Sequence, residues 1–233
     1  MSDTFQFKNF IISQKRCAMK VGTDGVLLGA WAKGGLRILD IGTGTGLIAL
    51  MMAQRFPEAQ VIGVEINDDA ASEAVENVMN SPYKTRITVK NIALQDYQPL
   101  SRFDAIVTNP PFFANGFSSP GIARRQARQT DCLSYRDIFM FAREWLATDG
   151  ELSAIIPYEL GNSFSEQAYL KGFFLSRWCE VRTVARKQPK RLLVAFSLTR
   201  PTTLDKSSLT LVDSGGQKTD EYRSLTSGFY LDS

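Results

Sequence analysis

The segment Asn109-Pro110-Pro111-Phe112 follows the apolar run 105–107 and carries the most specific chemistry in the chain. Proline has no N–H, so a strand that ends in two prolines leaves carbonyl oxygens without a neighbouring ladder of donors. Asn109 precedes a proline, which restricts it to an extended conformation and limits the direction of its amide. The Asn109 side chain and the Pro110 carbonyl could accept both hydrogens of a planar amino group while Phe112 stacks on its ring. We therefore predict Asn109, Pro110 and Phe112 as catalytic residues that hold an acceptor such as the exocyclic amine of adenine.

A plainer interpretation is that the two prolines only end a strand and that Phe112 is a core residue. An upstream glycine loop, Asp40-Ile41-Gly42-Thr43-Gly44-Thr45-Gly46, reduces the weight of that interpretation, because glycines between a strand and a helix let a nucleotide approach the backbone. Its G-x-G-x-G spacing differs from the G-x-G-x-x-G of dinucleotide sites. An acid such as Asp40 would repel a pyrophosphate, but it suits a ligand with an ammonium or sulfonium centre.

Glu65 ends the strand that follows the glycine loop, where a carboxylate can bind both hydroxyls of a ribose. S-adenosylmethionine combines a ribose, an adenine and a sulfonium centre without any phosphate. The residues therefore predict S-adenosylmethionine as the cofactor, bound by Asp40, Gly42, Gly44, Glu65 and Asn109. Because its methyl group is already activated, the protein mainly has to place the acceptor nitrogen about 3–3.5 Å from that group.

Composition excludes several classes of protein. No apolar run approaches the ~20 residues that cross a bilayer, and the N-terminus lacks the layout of a secretory signal. The 3 cysteines are widely spaced and odd in number, which argues against a disulfide framework or a zinc site. The absence of histidine excludes His-based triads and His metal sites. We expect a cytoplasmic protein that binds neither a membrane nor a metal and has no evident obligate protein partner.

Two basic groups lie C-terminal to the acceptor segment, and they indicate a polyanionic partner. One is the acid-free stretch 182–191, and the other lies at 124–128. Such groups are often only solvated surface, but the acceptor segment favours RNA, since a single-stranded loop releases a base from its stack most easily. We predict tRNA as the partner, with contacts at Arg124, Arg125, Arg128, Arg186, Lys187 and Lys190.

The elements that must position these residues alternate between strand and helix. We predict strands at 37–41, 61–65, 87–90, 103–108 and 152–156, and helices at 47–55, 68–79 and 135–146. Two further strands, 173–183 and 192–198, have no helix between them, which is typical of an antiparallel pair. The pattern predicts an α/β fold with a doubly wound, mostly parallel seven-stranded sheet and an antiparallel edge hairpin. We expect one domain: a lead segment (1–35), a catalytic core (36–200) and a C-terminal extension (201–233).

The residues at 40–46, 65 and 109–112 resemble the class I S-adenosylmethionine-dependent amino methyltransferases, which have a Rossmann-like fold. Four further segments are more particular: 17–25 with 27–31, Arg125-Gln126-Ala127-Arg128, 191–196 and the Phe-Tyr-Leu tail. With them, nearly the whole chain is similar to the tRNA adenine-N6 methyltransferases that modify valine tRNA next to its anticodon.

This resemblance implies cofactor contacts at Lys20, Thr23, Gly42, Gly44 and Glu65, and acceptor-base contacts at Asn109, Pro110 and Phe112. For Thr23, and for Asp24 beside it, capping of the following helix is an equal alternative.

The sequence departs from the family at two positions. Ala93 stands where many relatives have an acid that holds the cofactor's adenine amine, and Asn91 and Asp96 are the candidates to replace that acid. Phe112 stands where a tyrosine is common, so the stacking contact is kept and the hydroxyl is lost.

Three other functions remain open. The same chemistry could act on a protein glutamine amide or on another amino group of a nucleic acid. Methyltransferases that act on a protein glutamine usually have a helical domain before the glycine loop, and here only about 40 residues precede it. A non-catalytic RNA-binding protein with the same fold is the second alternative, and its acceptor segment would be expected to be damaged. A nicotinamide oxidoreductase is least favoured, because of the glycine spacing.

Overall fold

The computed structural model describes residues 3–17, 20–111 and 133–231. The strands are β1 Thr4–Gln6, β2 Ile11–Ser13, β3 Arg37–Ile41, β4 Gln60–Glu65, β5 Ile87–Asn91, β6 Phe103–Thr108, β7 Leu146–Pro157, β8 Phe174–Arg182, β9 Arg191–Ser197 and β10 Asp205–Thr210. The α-helices are α1 Thr23–Trp31, α2 Leu47–Arg55, α3 Asp68–Met79, α4 Tyr135–Trp145, α5 Gly161–Leu170 and α6 Asp220–Thr226. Within these ranges, none of the helices has the length and apolar character needed to cross a membrane.

The central sheet has eight strands in the order β10-β8-β9-β7-β6-β3-β4-β5. The strands from β7 to β5 in this order are parallel, β9 is antiparallel to both β7 and β8, and β10 is parallel to β8. The predicted class, a doubly wound and mostly parallel sheet with an antiparallel pair, is confirmed. The sheet has an eighth strand, β10, which forms the edge next to β8. The antiparallel pair of β8 and β9 therefore lies inside the sheet and not at its edge. Its residues 205–208 are polar and exposed, so the sequence carries little strand signal there.

Two apolar clusters fill the space on the two faces of the sheet. One joins α1, α2, α6 and the N-terminal β1–β2 hairpin, with Phe7, Ile12 and Tyr222 among its buried residues. The other joins α4 and α5, with Phe139 and Phe164 in contact at a ring-centroid distance of 4.9 Å. Because both faces are covered, the inner strands read as continuous apolar runs, as expected for parallel strands.

Side-chain caps fix the starts of two helices that flank the site. Asn67 accepts a hydrogen bond from Ala70 N at 2.9 Å and caps α3. Ser134 and Asp137 form a reciprocal capping box at α4. The predicted capping of α1 by Thr23 or Asp24 is wrong, because Gly22 occupies the cap position without a side-chain bond.

We predict that Ser134→Ala lowers the free energy of unfolding by about 1 kcal/mol, since it removes one half of the capping box. Chemical denaturation measures the change. Ser163→Ala is the control, because its exposed hydroxyl donates only to the Leu160 carbonyl within the described structure and caps no helix. Equal changes in the two variants would contradict the role of the capping box.

Candidate active site

A cavity of about 410 Å³ opens at the carboxyl ends of β3, β4, β5 and β6. The chain leaves β3 towards β4 on one side, while β6 lies on the other, so this is the point where the strand order reverses. Ligands of open α/β sheets bind at such a point. The walls come from the strand ends and the loops after them, including Gly42, Gly44, Glu65, Asn109 and Pro111.

A larger groove of about 640 Å³ lies between α5, β8 and β10, with Tyr169, Trp178 and Lys206 in its walls. It contains no part of the glycine loop or of the acceptor segment. We therefore place the candidate active site in the smaller cavity, where the chemically distinctive residues meet.

The glycine loop turns through backbone conformations that only glycine adopts easily. Gly42, Gly44 and Gly46 have φ values of 70°, 56° and 82°. A Cβ atom on Gly42 would meet no atom within 4 Å, so this part of the loop presents bare backbone to open space. A Cβ atom on Gly46 would instead lie 3.5 Å from the Cβ of Ala74 in α3, so glycine here allows the loop to pack against the helix. The loop therefore leaves room for a ligand to lie directly on the backbone.

Glu65 is held at the end of β4 by two backbone donors. One carboxylate oxygen accepts from Gly44 N at 3.0 Å and the other from Asn67 N at 2.9 Å. These bonds join the glycine loop, the end of β4 and the cap of α3. The carboxylate also lines the cavity, so it can offer its remaining acceptor capacity to ligand hydroxyls.

Asp40 lies beneath the loop, completely buried, and is not among the residues that line the cavity. Its Oδ2 accepts from Thr43 Oγ1 at 2.6 Å and from Ala49 N at 3.1 Å, while Oδ1 is buried without a hydrogen-bond partner in the described structure. Burial raises the pKa of Asp40 to about 7, the two hydrogen bonds oppose this rise, and the negative charge of Glu65 adds to it. Asp40 therefore shapes the loop from below and does not itself line the cavity.

Asn109 lines the cavity directly after β6, with Pro111 beside it, whereas Pro110 is buried. The hydroxyl of Thr108 donates to the Ile41 carbonyl at 3.1 Å, which ties the end of β6 to the start of the glycine loop. The side-chain oxygen of Asn109 is buried and has no hydrogen-bond partner in the described part of the chain. A buried oxygen left unsatisfied costs about 1–3 kcal/mol, so a donor that reached this oxygen would stabilise the site.

The other predicted site residues lie in three places: outside the described residues, near the start of α1, and in the loop 183–190. Phe112, Arg124, Arg125 and Arg128 lie outside the described residues. Lys20, half-buried, and Thr23, exposed at the start of α1, are not among the residues that line the cavity.

Arg186, Lys187 and Lys190 are exposed in the loop 183–190 between β8 and β9. Because β8 is parallel to β6, this basic loop lies at the same edge of the sheet as the cavity.

The structure shows whether Asn91 or Asp96, the candidates to replace the missing acid at Ala93, lies at the cavity. Ala93 lines the cavity as expected, but neither Asn91 nor Asp96 does. The Asn91 amide instead donates to Asp68 at 2.6 Å. Asp69 and Gln95, both exposed, line the cavity as well, and their type and spacing gave no signal in the sequence.

Arg16 and Cys17 in the lead segment line the cavity and were missed by sequence reasoning. The resemblance of 17–25 to a family pointed instead to Lys20 and Thr23. The signal that could have found them is that Cys17 begins the same segment.

Three comparisons place this geometry among known proteins. The model of the methyltransferase small domain family matches residues 21–177. The chain is 42% identical over 230 residues to the tRNA1(Val) (adenine(37)-N6)-methyltransferase of Bacteroides thetaiotaomicron, with 97% of each chain covered. It is also 42% identical over 231 residues to the enzyme of the same name from Mannheimia succiniciproducens, covering 97% of this chain and 94% of the relative.

Solved structures agree in fold. A predicted O-methyltransferase from Agrobacterium tumefaciens superposes with a TM-score of 0.65 at 18% identity, covering 88% of this chain and 96% of that one. The glycopeptide N-methyltransferase MtfA, solved with S-adenosylmethionine, gives a TM-score of 0.56 at 10% identity, covering 77% and 100%. At such identities the likeness shows the shared fold alone.

We predict that the pH dependence of stability will reveal the buried carboxyl of Asp40. An aspartate whose folded pKa is about 7 stays protonated in the native protein after the unfolded chain has ionised near pH 4, so its contribution to stability is lost as pH rises from about 4 through about 7. Asp40→Asn has no such loss. Thermal melts of the cofactor-free proteins should therefore favour Asp40→Asn over wild type more at pH 8 than at pH 5, and parallel profiles would contradict the shift.

Proposed function

The chain belongs to the methyltransferase small domain family and, within it, to the tRNA adenine-N6 methyltransferases, and from this premise we propose the reaction at its cavity. The enzyme transfers the methyl group of S-adenosylmethionine to the N6 amine of an adenine in tRNA. The names of the relatives identify that base as adenine 37 of valine tRNA, next to the anticodon. Since tRNA is the substrate, the proposed location is the cytoplasm.

The observation that carries this proposal is the buried side-chain oxygen of Asn109, which has no hydrogen-bond partner among the described residues and lies in the same cavity as Glu65 and the glycine loop. An amide oxygen at this place can accept from a donor that the ligand brings. An amine with two N–H groups is such a donor, and an oxygen acceptor such as a deprotonated phenol is not. Asn109 therefore favours an amino group over a deprotonated oxygen as the methyl acceptor.

The residues of the cavity fit the cofactor. Glu65 offers acceptor capacity for the two ribose hydroxyls, and Gly42 presents backbone without a side chain. A volume of about 410 Å³ is in the range of small-ligand sites. Bound S-adenosylmethionine supplies a methyl group that its sulfonium centre has already activated.

The protein's own contribution is position. Asn109 and the carbonyl of Pro110 would hold the two hydrogens of the adenine amine. This would reduce the delocalisation of the nitrogen lone pair into the ring and direct it towards the methyl group in the cavity. The extended backbone before proline keeps Asn109 in place, so little orientation has to be lost when the base binds. The proton can leave to water after the transfer, in accord with a chain that has no histidine.

The tRNA must present its adenine out of the stack to reach the cavity. The exposed basic loop 183–190 lies at the same edge of the sheet and is suited to hold phosphates near the cavity. Arg191 Nε donates to Asp24 at 2.7 Å directly after this loop, which attaches its base to the start of α1. The loop therefore extends from an anchored end.

We predict that Asn109→Ala reduces the rate of methyl transfer at saturating cofactor by at least ~10²-fold, the order expected when one preorganised polar contact to the reacting group is lost. The affinity for S-adenosylmethionine should change by less than about threefold, or 0.7 kcal/mol. Mass analysis of tRNA measures the first quantity and calorimetry the second.

Asn162→Ala, an exposed asparagine of α5 outside the cavity, is the control for Asn109→Ala and should behave as wild type. Equal losses of transfer and cofactor binding in Asn109→Ala would contradict the assignment. Methylation of a release-factor glutamine, but not of tRNA, by the wild-type enzyme would replace the proposed substrate.

We predict that replacing Arg186, Lys187 and Lys190 with alanine weakens tRNA binding and flattens its dependence on salt. Each lost phosphate contact should reduce the slope of log K against log salt by about 0.7–0.9. The control replaces Lys84, Lys171 and Lys206, which are close to the amino ends of β5, β8 and β10 and therefore far from the cavity edge. Equal slopes in the two triple variants would mean that the loop contributes only net charge.

A further inference from the structure

Helix α3 carries two buried polar side chains, Glu73 and Asn77, which lie outside the segments on which the resemblance to the family rests. Their exposed fractions are 0% and 3%. They are four residues apart, so both lie on one face of the helix. That face meets residues 13–17, the end of the lead segment, which we call the strap.

The Glu73 carboxylate accepts hydrogen bonds from the backbone N–H groups of the strap. Its Oε1 accepts from Lys15 N at 2.6 Å, its Oε2 accepts from Cys17 N at 2.9 Å, and Arg16 N lies 3.2 Å and 3.3 Å from the two oxygens. The Ser13 hydroxyl donates to Oε1 at 3.2 Å. Successive backbone N–H groups that converge in this way form an anion-binding nest, and here the anion is the protein's own carboxylate.

Asn77 joins the strap to the glycine loop. Its Oδ1 accepts from Ser13 N at 2.7 Å, and its amide nitrogen donates to Ser13 O and to Thr45 O, both at 2.9 Å. Thr45 is part of the loop that carries Gly44. One side chain therefore fixes the distance between two walls of the cavity.

The strap itself is one of those walls. Arg16 and Cys17 line the cavity, and Cys17 Sγ lies 3.9 Å from the position that a Cβ on Gly44 would occupy. A displaced strap would leave this side of the cavity open to water.

The lead segment is already attached to the core by apolar side chains before it reaches the strap. Phe7, Phe10 and Ile12 have exposed fractions of 1%, 5% and 0%. A buried carboxylate is therefore not needed to hold the lead on the protein, and the hydrogen bonds of Glu73 go to residues 13–17, the last two of which line the cavity.

The charge of Glu73 is maintained by the strap. Burial acts to raise the pKa of Glu73, but the N–H groups of Arg16, Lys15 and Cys17 and the Ser13 hydroxyl outweigh it and hold the pKa below its ordinary value. The carboxylate thus remains ionised in the folded protein at neutral pH.

We propose that Glu73 is a positioning residue for cofactor binding: its carboxylate fixes the strap as a wall of the cavity, and Asn77 sets the strap's distance from the glycine loop. The inference rests on the proposed function in that the ligand is S-adenosylmethionine. The strap lines the cavity beside the glycine loop and not at Asn109. We therefore expect it to affect the affinity for the cofactor and not the rate of methyl transfer.

Glu73→Gln tests this inference. The variant keeps the size of the side chain, removes its charge and turns an NH2 group towards backbone donors. Calorimetry with S-adenosylmethionine should show a dissociation constant at least about tenfold higher, equal to 1.4 kcal/mol. At saturating cofactor, kcat and the KM for tRNA should stay within about twofold of wild type, since only binding shared by ground and transition states is lost.

Glu76→Gln is the matched control. Glu76 lies one turn along the same helix and pairs with the Arg16 guanidinium at the surface, without contact to the backbone of the strap. Removing this surface ion pair should change cofactor affinity by less than about twofold. Similar losses in both variants would mean that charge on α3, and not the grip on the strap, controls affinity, and would overturn the inference.

A purely structural role of Glu73 has a different signature, namely a lower melting temperature with unchanged cofactor affinity, and that result would also overturn the inference. If Glu73→Gln does not fold, hydrogen exchange of the wild type decides: S-adenosylhomocysteine should slow exchange of the amides of residues 15–17. Protection confined to the glycine loop would refute the role of the strap. A wild-type protein that binds no S-adenosylmethionine would instead refute the proposed function.

Discussion

The buried carboxylate of Asp40 is the interaction on which the geometry of the site depends. Through Thr43 and Ala49 it joins the end of β3, the glycine loop and the first turn of α2. A carboxyl group without solvent is tolerated because these two donors satisfy one of its oxygens. The loop above it can therefore contain three glycines and still keep a single shape, because the Thr43 hydroxyl attaches it to Asp40.

The rest of the site is built from strand ends that meet because of the order of the sheet. Glu65, Asn109 and the glycine loop are far apart in the sequence, yet β3 lies between β4 and β6. Each strand end contributes a different chemical group: a carboxylate, an amide oxygen and bare backbone. Two apolar layers hold the sheet, so these groups are attached to rigid elements.

The sequence allowed prediction of the residues whose chemistry is local. Gly42 and Gly44 follow a strand, and Asn109 precedes a proline, so type and position together indicate their use. The strap was not predictable, because its bonds to Glu73 join residues 56–60 positions apart and an acid on an amphipathic helix ordinarily faces water. β10 was difficult to predict, since it pairs with β8 through its backbone and most of its side chains are polar.

The polar face of β10 has a consequence for the behaviour of the protein in concentrated solution. An outermost strand offers a row of backbone groups on which a strand of another molecule can add, and long apolar rims promote such stacking into aggregates. Here the rim consists of Asp205, Lys206, Ser207 and Ser208, all exposed, and the opposite rim includes the exposed Lys90 of β5. Charge and hydration at both rims thus protect an otherwise strongly apolar sheet from growing beyond one molecule.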